Sequence, residues 1–343
     1  MTGALTWARL SYRQQKWELL LVVLGVVGVT AGMVWFATTL SALRDANPEC
    51  LAGLSASFAS PMEEGPPVAC QAFLTEYYDA ENWASNLTNL AWVAPFGMGV
   101  ILGAPLVARE IDGGTAQLAW SLSRSRVGWL IRRIAFVTLF GLALLAILAF
   151  ASELLTAAIF PDRTLDEDFM WFGRRGVPIV ARGVGAILLG VLVGAVIGRV
   201  LPAVLVSILV IGLAFTGVSL ALDQVNRSEA TLQPMYAGPE EPQVYDMAAL
   251  DVAFGIERTD GTFVTYTEAF ERGFSPSYTD ERGLVFESEE AMRADEPFGR
   301  DARLVIAGEK YPLLVLRDSI AAIVVGVAAL ALSAAVVVRR RPA

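Results

Sequence analysis

The chain has 343 residues, 55% of them hydrophobic and only 18% charged, and its mean hydropathy is positive. A water-soluble fold has no interior large enough for so much apolar side chain, so the composition excludes one and points to a polytopic membrane protein. The net charge of −9 is the wrong sign for attraction to nucleic acid.

Runs of about 18 or more apolar residues, long enough to cross a bilayer as a helix, fall at 18–40, 88–108, 131–152, 177–198, 200–222 and 317–338. The expected fold class is therefore an all-α polytopic membrane protein with six transmembrane helices. The first run is longer than a signal-peptide core, and no small-residue cleavage pattern follows Thr39-Leu40. It reads as a retained anchor after a short N-terminal segment, 1–40 together.

Loop 41–87 holds both cysteines, Cys50 and Cys70. Sharing one compartment, they predict a disulfide stabilising the loop by about 3 kcal/mol, with two free thiols as the alternative. In the second span (88–108), Pro95, Gly97, Gly99, Gly103 and Pro105 predict a kinked or interrupted helix.

Segment 109–130 is charged and carries Trp120 and Trp129. "DGGT" breaks the second helix, after which Thr115 is placed to cap a short helix reaching about Arg126. Leu118 and Leu122 share one face of that helix, and Trp120 and Arg124 stack at a four-residue spacing on another. Such a helix can seat in a groove on a soluble partner, or lie on lipid headgroups held by Trp129 and the arginines.

Within 131–222 lie three further spans. Ala186, Gly190, Gly194 and Gly198 recur every four residues, which puts them on one face for close helix packing. Region 223–316 predicts a small, acidic, mixed α/β lobe between helices 5 and 6. "GTFVTYTEAF" and "RLVIAGEKYPLLVL" look strand-like, whereas "PEEPQ" and "FSPSYTDERG" read as loops. Residues 317–343 hold the sixth span and a basic tail.

Charge sets the orientation. With six spans, Arg9, Arg13, Lys16, Arg109, Arg124, Arg126, Arg132, Arg133, Arg199 and Arg339 to Arg341 all fall on one side. The positive-inside rule makes that side, and both termini, cytoplasmic, and the lobe extracytoplasmic. Trp17 and Trp129 are expected at the inner interface and Trp35, Trp83, Trp92 and Trp171 at the outer one.

Absences narrow the chemistry. There is no histidine, which removes Ser-His and Cys-His catalysis and histidine metal sites. The only lysines, Lys16 and Lys310, do not follow a P-loop glycine, so no Walker-type nucleotide site exists. The acidic run "FESEEAMRADE" (286–296) reads as a solvated face rather than paired catalytic carboxylates. The span interiors are expected to lack ionisable groups, with Arg182 and Glu153 nearest and toward the outer ends. A carrier coupled to protons or sodium needs such groups, so work must come from another subunit.

The stretch "LGAPLVAREIDGGTAQLAWSLSRSRVGWL" resembles the region after the second span of ABC-2-type (type V) ABC transporter permease subunits. One branch of that family reads R-E-x-[DE]-x-G-T, then L-A-W, then a Ser/Arg-rich turn and a tryptophan. Here those positions are Arg109, Glu110, Asp112, Gly114, Thr115, Leu118, Ala119, Trp120, Ser123, Arg124 and Trp129. Val127 and Gly128 depart from the basic residues of that pattern. "RRGVPIVARGVGAILLGVLVGAVIGRVLPAVLVSI" is similar to the family's fourth and fifth spans, including the Arg-x-x-Pro turn at Arg199 and Pro202.

The resemblance implies half of an exporter in a bacterial inner membrane. Separate ABC ATPase subunits would carry ATP and Mg and dock on the connector, the coupling helix. A second permease copy or paralogue would complete the path, and lipids would surround it. It implies ATPase coupling by Arg109, Glu110, Asp112, Gly114, Thr115, Leu118, Trp120, Leu122 and Arg124, with the second and fifth spans lining the path. No cofactor, metal, catalytic residue or nucleic acid is expected in this chain. The competing reading is a membrane-anchored sensor or assembly protein acting through its acidic lobe.

Overall fold

The computed structural model describes residues 2–50, 68–122, 125–161, 163–235, 248–271, 280, 284–295 and 297–340, with side chains from residue 15 onward and not at 117–119 or 122. In chain order come α1 (Thr2–Ala46), α2 (Gln71–Met98), a π-helical turn (Gly99–Gly103) and α3 (Ala104–Asp112). They are followed by α4 (Thr115–Leu122), α5 (Arg126–Ile159), α6 (Val177–Ile197) and α7 (Val200–Asn226). A β-containing region precedes the last helix, Tyr311–Arg339.

Among the described residues, six helical stretches are long and apolar enough to cross a membrane. They overrun the apolar runs, reaching Gln15–Ala46, Val68–Asp112 and Arg126–Ile159 in the first three. Helical hydrogen bonding continues beyond the hydrophobic segment wherever no breaker stops it, so hydropathy marks the buried length and not the helix. The chain forms two compact units. The first holds 1–162, 173–219 and 315–343, and contains the spans.

In that unit α6 is the hub: 72% of its apolar window is buried, against 22% for the first and fifth spans. Its small-residue face explains this. A Cβ on Gly190 would overlap the Gly99 carbonyl, and one on Gly194 would overlap that of Ala104. Across the contact, a Cβ on Gly99 would lie 2.6 Å from the Ala186 carbonyl. Backbone therefore meets backbone, which only glycine and alanine permit. Gly198, at the same spacing, does something else: at φ +68° it ends α6, its N–H reaching Gly194 O at 2.9 Å. This glycine separates the fourth and fifth spans, while Pro202 sits harmlessly in the first turn of α7.

The expected break in the second span is the π turn. Pro105 has no N–H for the carbonyl of Ile101, and the glycines at its ends sit directly against α6. At the end away from the connector, Cys50 and Cys70 form a disulfide with Cα atoms 5.6 Å apart. Nearby, the Arg44 guanidinium donates to Ala158 O near the C-terminus of α5, where a cation suits the helix dipole.

Arg182 and Glu153, the ionisable groups expected nearest the span interiors, are each paired. Arg182 and Asp318 form a two-pronged pair, Nε–Oδ2 3.0 Å and Nη2–Oδ1 2.8 Å, between α6 and the last helix. Arg175 pairs with Glu153 at 3.1 Å, and Arg133 pairs with Glu110. All lie near span ends and arrive as opposite charges, the only economical way to bury them. A run-based reading counts each strand of sequence alone and misses partners 136 residues apart.

The second unit is 163–172 with 220–314, so a segment between the third and fourth spans joins the 223–316 region. Phe169 explains its inclusion: its N–H donates to Ala248 O at 3.0 Å, and its ring meets Tyr311 at 5.4 Å. The sheet holds β1 (Thr231–Pro234), β2 (Leu250–Arg258), β3 (Phe263–Thr265), β4 (Leu284–Val285) and β5 (Gly299–Ile306). All pairings are antiparallel, in the order β1-β5-β2-β3 with β4 also on β5.

Helices α8 (Tyr266–Glu271) and α9 (Glu289–Ala294) flank the strands, and α10 is Tyr311–Arg339. Ile256, Val264, Ala269 and Val285 form the core. The two strand-like stretches are corrected: each begins as a strand and turns helical, at Tyr266 and Tyr311. Glu268 causes the first switch, accepting from Thr265 N at 3.1 Å across the helix start. "PEEPQ" lies outside the described residues, as does nearly all of "FSPSYTDERG". The acidic run 286–296 contains α9, capped by Ser288 accepting from Ala291 N at 3.1 Å.

Two outcomes are expected. Gly190→Leu should destabilise the bundle by about 1–3 kcal/mol through overpacking, seen as a lower unfolding temperature in detergent. Gly212→Leu, where an added Cβ meets nothing within 4 Å, should leave it unchanged. In the second unit, burial holds the Asp301 carboxyl above its ordinary range, partly offset by the Tyr266 hydroxyl donating at 2.8 Å. The folded form thus holds this proton more tightly than the unfolded chain. That contribution is present in acid and lost as pH rises through the raised value. Asp301→Asn should therefore raise the unfolding temperature at neutral pH by roughly 2–4 °C, with no gain in acid.

Candidate functional site

The connector is built from two breaks in the helix pattern. Helix α3 stops because Gly113 and Gly114 turn the chain, their N–H groups reaching Arg109 O at 2.9 Å and Ile111 O at 3.1 Å. Gly114 has φ +68°, a conformation costly for other residues. Thr115 then opens α4 as its first helical residue. Its hydroxyl donates back to Glu110 Oε2 at 2.7 Å instead of accepting from its own helix, which corrects its role as a cap.

The single helix expected over 115–126 is two. Helix α4 ends at Leu122, and Ser125 is extended (φ −154°, ψ 146°), its Oγ accepting from Gly128 N at 3.0 Å. Ser125 is thus the N-cap of α5, a stronger local signal than continuation through the Ser/Arg-rich turn. Arg126 falls in the new helix. The side chains of Leu118 and Leu122, and all of Ser123 and Arg124, lie outside the described residues, and with them the Trp120–Arg124 stack.

Glu110 and Arg133 are the charged centre of the site. They are 6% and 4% exposed and pair with each other, while Thr115 donates to the second carboxylate oxygen. One carboxylate therefore ties α3, α4 and α5 together. Its neighbours reach other helices. Arg109 pairs with Glu18 of α1, and Asp112 Oδ2 accepts from Val200 N at 3.3 Å. An acid at the N-terminus of α7 is favoured by the helix dipole. Gly198 lies against Ile111 and the Arg340 guanidinium.

Aromatic rings complete the junction. Trp120 and Trp129 meet edge to face with centroids 6.2 Å apart. Arg126 lies 4.9 Å over Trp120 and Arg133 5.8 Å over Trp129. Trp129 is only 1% exposed, so it is packed inside the protein and is not the interfacial anchor expected from composition. Ala116 and Trp120, four apart, form the inward face of α4, and Thr115 and Ser121 remain exposed.

Arg126 also donates to Val338 O at 3.2 Å and Arg340 O at 2.9 Å, at the C-terminal end of α10. Sequence reasoning did not find Glu18, Arg126, Arg133 and Arg340 as members of this site. The only available signal was that all four are ionisable residues at the same predicted membrane edge.

A protein-family model described as ABC-2 membrane transporter related matches residues 23–223. The chain belongs to the ABC-2 membrane transporter related family. The match runs from within the first span to near the end of the fifth, takes in the whole connector, and ends before the strands of the second unit. Comparison with curated proteins and with solved structures gave no match. An ABC-2 family chain is a multi-pass membrane component of a transport system and not itself its catalyst.

Removing one partner of the Glu110–Arg133 pair should cost about 3–5 kcal/mol, because it leaves a buried charge alone. Replacing both together, Glu110→Leu with Arg133→Met, should cost less than either single change. Thermal unfolding followed by tryptophan fluorescence checks this, and independent, additive losses would contradict it.

Proposed function

We propose that this chain is the transmembrane permease subunit of an ATP-driven exporter, forming half of the translocation path. A separate ABC ATPase subunit binds ATP and Mg and drives the bundle through α4. Membership of the ABC-2 family supports this, since that family works with ABC ATPases in general. The observation that carries the coupling step is the Glu110 junction: a short helix fixed to the ends of two spans by a buried carboxylate. A push on such a helix moves both spans, because their shared charge pair cannot be pulled apart cheaply.

The chain's own composition supports the division of labour, as it has no P-loop lysine. The connector, both termini and the basic cluster face the cytoplasm of a bacterial cell in this reading, and the second unit faces outward. A second copy or paralogue supplies the other half of the path, with the second and fifth spans toward the centre.

The test is to isolate the ABC ATPase that co-purifies with the chain and measure its ATP hydrolysis with and without the permease. Replacing Thr115–Leu122 by a Gly/Ser linker of equal length should abolish the permease's effect on hydrolysis while the protein still inserts. An unchanged effect, or labelling of Ser121→Cys from outside intact cells, would overturn the proposal.

A further inference from the structure

An open crevice of about 250 Å³ runs along the first and second spans, lined by Leu21, Gly25 and Val29 of α1 and Val93, Gly97 and Ile101 in the second span. We propose that it holds one acyl chain of an anionic phospholipid, with Lys16 meeting the phosphate. The proposal is independent of the coupling reading.

Shape, length and charge support the same occupant. Among the described residues, no ionisable or hydrogen-bonding side chain lines the crevice, so a polar ligand finds no partner among them. Its depth comes from glycines: a Cβ on Gly25 or Gly97 would meet nothing within 4 Å. From Leu21 to Val29 the helix rises about 12 Å, and from Leu90 to Ile101 about 16 Å, close to the roughly 15 Å of one leaflet's hydrocarbon. The crevice therefore fits a single chain lying along the membrane normal.

One end carries the recognition chemistry. Trp17 continues the Leu21–Gly25 face at the same four-residue spacing and is 68% exposed. Lys16 lies over its ring at 5.2 Å. The nearby carboxylate, Glu18, is already paired with Arg109, and the Lys16 side chain is exposed where an external anion can meet it. A tryptophan and a lysine one turn past an apolar slot are the arrangement of an interfacial headgroup site.

The test uses the full chain in nanodiscs of equal phosphatidylglycerol and phosphatidylcholine, extracted into mild detergent, with retained lipids counted by native mass spectrometry. The expected result is one retained phospholipid per chain, with phosphatidylglycerol favoured about five-fold, as one lysine near a headgroup provides. Gly25→Leu and Gly97→Leu, which have room to fold, should reduce retention to background. Lys16→Ala should keep a lipid but bring the preference to about one. Retention unchanged in both leucine variants, or no headgroup preference in the unaltered chain, would overturn the proposal. So would Gly25→Cys chains that form a disulfide-linked dimer in membranes, which would make a second copy the occupant.

Discussion

A buried carboxylate and a buried guanidinium, Glu110 and Arg133, set the terms for the connector end of this protein. Desolvating either ion alone is expensive, by several kcal/mol in real proteins, so both must arrive together. With α3 ended by the Gly113-Gly114 turn, that requirement sets which faces α3 and α5 present to each other. Thr115 satisfies the remaining carboxylate oxygen, and Trp129 covers the guanidinium. The connector is thereby a continuation of two spans and not a hinge between them.

The pair is positioned by packing deeper in the bundle. Gly190 and Gly194 let α6 touch the backbone of the π turn, which re-aims α3 relative to α2. In a membrane there is little hydrophobic drive to bring helices together, so such close backbone approach supplies much of the attraction. The same hub meets α10 through Arg182 and Asp318 at the far end. Arg182 ties one end of α6 to α10, and the small-residue seam packs α6 against the second span.

The membrane helices were legible because apolar run length is a physical requirement of the bilayer, and the Pro/Gly cluster of the second span is a strong breaker. The connector's outline was legible too, but its details were not. The inward turn of Trp129 and the Arg133 partner of Glu110 depend on contacts between different helices, whereas the Ser125 cap is local, its partner Gly128 lying three residues on. The strands fared worst: β2 was missed although Leu250, Val252, Phe254 and Ile256 alternate along it, its burial does not follow that alternation, and β3 is three residues long. Tertiary pairing to β5, not local pattern, decides those segments.

The central claim is that the connector moves as one body with the third span because of its buried charge pair. Spin labels at Ser121→Cys and Leu139→Cys, both on exposed positions, report this directly by pulsed electron paramagnetic resonance, the native cysteines being bonded to each other. The account predicts one narrow distance distribution that broadens when Glu110 is changed to Gln. A broad distribution in the unaltered chain, or a narrow one that ignores the change, would contradict it.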